Sequence, residues 1–476
     1  MASRRDLYQG YQFLVQRVVS GVVLRESDPA QSPLRRMGGT VFASVMVAVL
    51  SLAVAGVIGV INPGGNTTWQ DAGAVIVEKG TGARFVWLAD QAGVFHLHPV
   101  VNFASAALLT GGVDTVSVSA ASLADAPRGQ RLGIAGGPDA LPEPDRLVGA
   151  PWTLCAAPAR LESGEELPRT AVAVGGASDG GSALGDRAVL VRDVELGTLH
   201  LVWRGHQYPV PDEAAVLEGL TLRDEAQVQV GTAWLSGLPA GLSLQPQPVP
   251  GRGAASSAVA GGVVGQIRVV RTSAGEQYYQ VAADRIVEIT PVQAAVLLAA
   301  PATSLEAYGG TAAAPLPLSP AEANLALRVE LADPAPTDPP TDPPEMAAVA
   351  GPDETVCAGF ADAASTPEIS VAAEVDTTAA ALTPRRSSTG TVLADTVAVP
   401  PGAGALVEAR PSGEAGSGAL FLVTDEGRAY PVPSEAEAAR LGYGGVDPVP
   451  MPEALVARVP AGPALSVTAA GAAAAG

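Results

Sequence analysis

The sequence predicts an α+β fold. It divides into an N-terminal cytoplasmic amphipathic helix, a single transmembrane helix, and an exported region of four α+β repeats around a central β-rich domain closed by one disulfide. Three observations carry this prediction. Residues 40–61, TVFASVMVAVLSLAVAGVIGVI, hold no charge; the tetrapeptide YPVP occurs at 208–211 and again at 430–433; and both cysteines, Cys155 and Cys357, lie beyond the apolar run.

A chain of 476 residues has room for several domains. Its 54 glycines, 41 prolines and 4% aromatic content indicate many short elements joined by turns rather than one helical bundle. The net charge of −20 excludes an ordinary nucleic-acid binder, which shows a basic footprint. That charge is unevenly placed. Residues 1–39 carry six arginines against Asp6, Glu26 and Asp28, so the short N-terminal segment is basic and the remainder strongly acidic. Such asymmetry implies two environments.

The first element is RRDLYQGYQFLVQRVVSGVVLRE, with apolar residues at 7, 11, 14, 15, 18, 19 and 22, the spacing of one helical stripe. It has no core of its own to join, which favours docking on a partner over lying on the membrane surface. SDPAQSP (27–33) then breaks the helix. The 22 uncharged residues at 40–61 are long enough to cross a hydrocarbon core of about 30 Å. A cleaved signal peptide is the rival, with AVAG (53–56) as its small-residue site; the 39 residues ahead of the run and its length speak against it. Arg35 and Arg36 abut the N-terminal end of the span, while the first charge after it is Asp71. The positive-inside rule therefore puts residues 1–39 in the cytoplasm and the rest outside.

Cysteine use agrees with export. Two cysteines in an oxidising compartment have one possible connectivity, a bond between Cys155 and Cys357; the alternative is two buried thiols. PWTLCAAPARL (151–161) and ETVCAGFADA (354–363) each read as a strand, so they build a shared central module.

The repeat is clearest in LHLVWRGHQYPVPDEAAVL (199–217) and LFLVTDEGRAYPVPSEAEA (420–438). Each has an apolar strand, a turn, the YPVP element, and a helix start with Asp212 or Ser434 at the N-cap. Tyr208, Pro209, Pro211 and Tyr430, Pro431, Pro433 form the shared framework, and the prolines suit an edge strand or strand exit. A third copy at 278–298 matches at an offset of 80, which puts Pro291 where Pro211 stands and Glu288 where Tyr208 stands. A fourth, at 85–109, has His98 in the tyrosine position. After each helix comes a strand, a brief helix and a proline, as in EAQVQVGTAWLSGLP (225–239). The boundaries read as 62–146 for repeat 1, 147–187 for the first part of the centre, 188–250 for repeat 2 and 251–331 for repeat 3. They continue as 332–390 for a proline-rich spacer and the second part of the centre, and 391–476 for repeat 4 and a disordered tail. GGASDGGSALGD (175–186) reads as a flexible loop and ADPAPTDPPTDPPE (332–345) as an extended spacer.

Chemistry is scarce. The one lysine, Lys79, is flanked by Glu78 and Gly80, so no Walker A lysine exists. Ser178 sits in a G-x-S-x-G match whose flanks are loop rather than strand and helix. His96 and His98 alternate on a strand with no cysteine near, which favours structural roles over a metal pair. The sequence thus offers no catalytic, cofactor-binding or metal-ligating residues.

The order of LYQGYQFLVQRVVSGVVLRESDPAQSPLRRM (7–37), the span followed by NPGG (62–65), RGQRLGIAGGPDALP (128–142), the YPVP units and two cysteines resembles the EccB family. Its members are bitopic membrane components of actinobacterial type VII (ESX) secretion systems. The resemblance covers essentially the whole chain. It implies four periplasmic repeats around a disulfide-closed centre, anchored in the inner membrane. It also implies assembly with EccC, the motor ATPase, with EccD, EccE and the mycosin protease, and with other copies of itself. Some family members carry an ATPase label. The function it implies is a structural, membrane-anchored subunit of the secretion channel; an exported ATPase or hydrolase and a cell-wall-binding anchored protein are the alternatives.

Overall fold

The computed structural model describes residues 3–25, 33–61, 67–71, 73–160, 166–273, 275–378, 380–411 and 417–474. The chain divides into two units, one holding residues 1–72 with 78–82 and 117–126, the other holding the rest.

The first unit contains the helix Arg4–Leu24, opened by a capping box in which Ser3 Oγ accepts from Arg5 N–H at 3.3 Å and Asp6 accepts from Ser3 N–H at 3.0 Å. Its stripe residues Leu7, Leu14 and Val18 are exposed. The second helix runs Pro33–Ile61, and Gly38–Val57 is apolar and long enough to cross a membrane, with none of it buried inside the protein. Ser44 and Ser51 donate to the carbonyls of Thr40 and Val47, each at 2.8 Å, so their hydroxyls are satisfied within the helix, as a lipid-facing position requires. The helix begins at Pro33, the last residue of the expected break. Most of that break, and the side chains of Arg35 and Arg36, lie outside the described residues.

Five sheets occur among the described residues. The second sheet comprises Ala188–Asp193, Leu199–Trp203, His206–Pro209 and Gln227–Val230; the first three are antiparallel neighbours, and the fourth returns across the helix Glu213–Gly219 to lie parallel to the first. The fourth sheet repeats that order with Gly404–Arg410, Ala419–Thr424, Arg428–Val432 and Val449–Pro452. The third does so with Ile267–Thr272, Gly275–Val281, Ile286–Ile289 and Leu316–Pro317, and adds Arg328–Val329 beyond Ile286–Ile289. The first sheet has the same order in Val75–Glu78, Arg84–Ala89, Phe95–Pro99 and Thr115–Val118.

The helices start where the sequence caps them. Asp212 accepts from Ala215 N–H at 3.2 Å, Ser434 accepts from Glu437 N–H, and the third sheet's helix Pro291–Ala299 is capped by Thr290 with Pro291 at N1.

The central sheet has seven strands in the order Ala381–Leu382, Thr396–Ala398, Glu166–Ala173, Trp152–Arg160, Val356–Phe360, Glu368–Glu374, Asp179–Ala183. Cys155 and Cys357 stand opposite each other on adjacent strands and are joined by the disulfide. The main core lies here. Trp152, Leu154, Val356 and Phe360 pack with Val189, Val191 and Val228 from the second sheet and Trp234 from the helix after it, and with Val407, Val423 and Met451 from the fourth sheet and Leu455 from the helix after it. Leu190 and Leu201 on the opposite face of the second sheet bury against the helix residue Val216 and the C-cap Leu220. Burial on both faces explains why AVLV (188–191) is a continuous apolar run instead of an alternating one.

Several expectations are corrected. GGASDGG is not all loop, because Asp179–Ala183 pairs with Glu368–Glu374 as an edge strand. Thr396–Ala398, expected in repeat 4, pairs with Ala171–Ala173 in the central sheet. The tail is ordered through Ala474. Val467–Ala470 is helical with Ala470 buried, and Gly133 N–H donates to the Ala472 carbonyl at 3.2 Å while Ala474 N–H donates to the Arg131 carbonyl at 3.0 Å. Residues 475–476 lie outside the described residues. The proline-rich spacer, expected to be extended, instead turns at 335–338, where Asp338 N–H donates to the Ala335 carbonyl at 2.9 Å, and it is held down, its Thr337 and Thr341 carbonyls accepting from Leu242 and Val292 N–H at 2.8 and 3.1 Å.

Candidate functional site

The framework residues gather along the outer edge of each sheet. Tyr208 and Tyr430 lie on edge strands, fully buried, with their rings on the helix-facing side. Each ring covers a glycine. A Cβ on Gly241 would overlap the Tyr208 ring, one on Gly462 would overlap the Tyr430 ring, and one on Gly129 would overlap the His98 imidazole. Proline and glycine build this contact together. Gln207 N–H donates to the Pro239 carbonyl at 3.0 Å and Gly241 N–H returns to the Gln207 carbonyl at 2.8 Å; Leu244 N–H then reaches the Pro209 carbonyl at 2.8 Å. The same three bonds recur as Ala429 to Pro460, Gly462 to Ala429 and Leu465 to Pro431, at 2.9, 2.9 and 2.8 Å. They recur again as Leu97 to Pro127, Gly129 to Leu97 and Leu132 to Pro99, at 2.8, 3.1 and 2.9 Å. The prolines of YPVP lose nothing as donors here, because Pro209 and Pro431 serve this ladder through their carbonyls. Pro211 and Pro433 immediately precede the helix N-caps.

The third sheet shows which residue holds the tyrosine place. Ile286 N–H donates to the Leu327 carbonyl at 2.8 Å, the counterpart of Gln207 to Pro239, so Val287 and not Glu288 stands where Tyr208 stands. Val329 takes the glycine place, paired in register with Val287. The sequence offset of 80 misled by one residue because Pro291 is inside its helix while Pro211 precedes its N-cap.

Burial pushes the Tyr208 phenol up to about 12, and burial together with Glu426 pushes Tyr430 up to about 12, so both stay protonated at neutral pH. His98 Nδ1 lies 2.8 Å from the Gln130 carbonyl, and the His96 and His98 ring centroids are 6.2 Å apart. No group of three potential metal ligands occurs among the described residues. Ser178 leads into the edge strand Asp179–Ala183 with no helix after it, unlike a nucleophile elbow. Lys79 is exposed in a turn.

A cavity of about 420 Å³ beside the fourth sheet is lined by Ser387, Thr391, Phe421, Glu453 and Val456, with no cation among its lining residues to meet a phosphate. A second, of about 290 Å³, is lined by Arg385 and Arg386, but these are ion-paired: Arg385 with Asp395 at 2.7 Å and Arg386 with Glu195 at 3.6 Å.

A model of the family described as "Type VII secretion system ESX-1, transport TM domain B" (EccB) matches residues 1–476. The ESX-3 secretion system ATPase EccB3 of Mycolicibacterium smegmatis is 28% identical over 97% of this chain and 89% of its own length. The ESX-1 secretion system ATPase EccB1 of Mycobacterium tuberculosis is 28% identical over 63% of this chain and 62% of its own. Among solved structures, the EccB3 dimer from the ESX-3 core complex matches with a TM-score of 0.59 and 25% identity, covering 84% of this chain and all of that one. A chain of an intact ESX-5 inner membrane complex shares the fold with a TM-score of 0.60 and 24% identity over 100% of this chain and 96% of its own.

Proposed function

This chain belongs to the EccB family of type VII secretion proteins, and from that premise we propose how it serves as a structural subunit of an ESX secretion system. It is a scaffold carried on one membrane anchor. The full-length family match is the observation that carries this reading. The four sheets of like strand order are four copies of one unit, arranged around the disulfide-closed centre. Residues 1–39 face the cytoplasm, as Arg35 and Arg36 direct, and the sheets stand on the periplasmic side. Several similar faces on a rigid body suit the assembly of a channel with EccC, EccD, EccE, the mycosin protease and further copies of the chain.

The relatives' names include the word ATPase. This reading makes the chain a non-enzyme: its one lysine is in an exposed turn, and the lining of the largest cleft described lacks cations. The test is gentle detergent extraction of the full chain from its native membrane. A large complex containing an FtsK-type ATPase should co-purify. Recovery of the chain alone, with nucleotide turnover that survives further purification, would overturn the reading in favour of an exported hydrolase.

A further inference from the structure

The strand Arg328–Val329 is the last of the third sheet. Its inner side is paired, through Ile286 N–H to the Leu327 carbonyl and the parallel register of Val287 with Val329. In a ladder the bonding groups of successive residues alternate between the two sides, so the N–H and C=O of Arg328 point away from the sheet, and Glu330 shares that parity. Two of the corresponding segments carry a further piece of chain on their outer side. The C-terminal segment bonds to Arg131 and Gly133 beside the first sheet, and the proline-rich spacer bonds to Leu242 beside the second. The third edge carries instead the sequence LALRVEL (325–331), apolar at every second position. Leu325, Leu327, Val329 and Leu331 are 88%, 60%, 43% and 43% exposed. Proteins blunt or cover such edges, because a bare apolar edge strand templates pairing with another chain.

We propose that this edge pairs with the same edge of a second copy of the chain, antiparallel about a two-fold axis through Val329. The sequence is complementary to itself in that register. Val329 meets Val329, Leu327 meets Leu331, and Arg328 of each copy stands opposite Glu330 of the other. Arg328 and Glu330 already share a face, since Arg328 Nη2 lies 3.2 Å from Glu330 Oε1 within the chain. The outward N–H and C=O groups of Arg328 and Glu330 are the ones that a hydrogen-bonded antiparallel pair exchanges. Centring the axis on Arg328 or on Glu330 would set like charges opposite each other, so the charges fix the register as well as the partner. The contact is isologous and closed, the form that two identical chains most often take.

The proposal deepens the scaffold reading by naming a face through which copies meet, and its test reads copy-to-copy contact alone. The full chain carrying Val329→Cys, in native membranes, has one free thiol because Cys155 and Cys357 are bonded. Mild oxidation should give a reducible band at twice the chain mass, while Leu305→Cys, which is 68% exposed and off the strand, should not. Adding Arg328→Glu or Glu330→Arg should lower the cross-linked fraction about tenfold, equivalent to about 1.4 kcal/mol, and both reversals together should restore it. A thiol at 329 that joins no second copy, or joins a chain of another mass, overturns the proposal; so does a double reversal that fails to restore the product. Retention of the co-purifying subunits with no cross-link would remove this interface and leave the scaffold reading intact.

Discussion

Val287 and Val329 face each other across the edge of the third sheet at the place where a ring covers a glycine in the other three. Bulk is shared between the two positions: a large side chain on the edge strand goes with none opposite, and two medium ones replace them. Gly241→Ala should therefore destabilise the protein by about 1–3 kcal/mol, since the Tyr208 ring must move. Tyr208→Val in the same chain should recover part of that loss, and a double-mutant cycle by chemical denaturation measures the coupling. Additive effects would refute the shared-volume reading.

Cys155 and Cys357 are fully buried in the middle of the central sheet. Replacing both by serine should cost about 2–5 kcal/mol, seen as a lower denaturant midpoint. Thiol labelling of the unfolded, unreduced protein should find no free cysteine; two labelled thiols per chain would refute the bond.

Trp234 is fully buried, and its Nε1–H donates to the Leu154 carbonyl at 3.0 Å, joining the second unit's central sheet to the helix Thr232–Gly237. Trp234→Phe keeps most of the apolar volume and removes that hydrogen bond. A loss of about 1–3 kcal/mol is expected in thermal unfolding, and a change near zero would show that the bond is dispensable.

Tyr208 and Tyr430 have folded-state pKa values raised to about 12 from an ordinary value of 10. Because the raised value favours the protonated form, the stability they contribute is complete below pH 10 and is lost as pH climbs from 10 towards 12. Unfolding midpoints should hold steady up to about pH 10 and fall beyond it, and the Tyr208→Phe variant should fall less steeply. Ultraviolet titration showing both phenols ionised near pH 10 in the folded protein would contradict this.

How far these features could be read in advance depended on the range of the forces behind them. Asp212 and Ser434 were legible as N-caps because capping is settled within three residues. The apolar helix was legible because lipid imposes one composition along its whole length. The edge strand Asp179–Ala183 was not, since DGGSA has no apolar alternation and its pairing partner lies nearly two hundred residues on. The tyrosine position of the third sheet was misread by one residue, as two prolines in different helical roles look the same in a sequence. The ring-on-glycine contact left a signal that could have been found. APRGQ (126–130), LPAGL (238–242) and VPAGP (459–463) share a proline two residues before the glycine, whereas ALRV (326–329) lacks both.

Residues near 440 complete what the helix Phe103–Thr110 begins. Arg440 Nη1–H donates to the Leu108 carbonyl at 3.0 Å and Tyr443 O–H to the Pro142 carbonyl at 2.9 Å, across separations of 332 and 301 residues. Ala104 and Leu108 share one apolar cluster with Leu422, Tyr430 and Leu441. During synthesis at about 5–20 residues per second, the first sheet's helix must wait on the order of tens of seconds for the residues that will bury it. The nascent chain thus emerges with its beginning unfinished, and the interval before the ribosome releases the end is the period in which this protein most needs shelter from its neighbours.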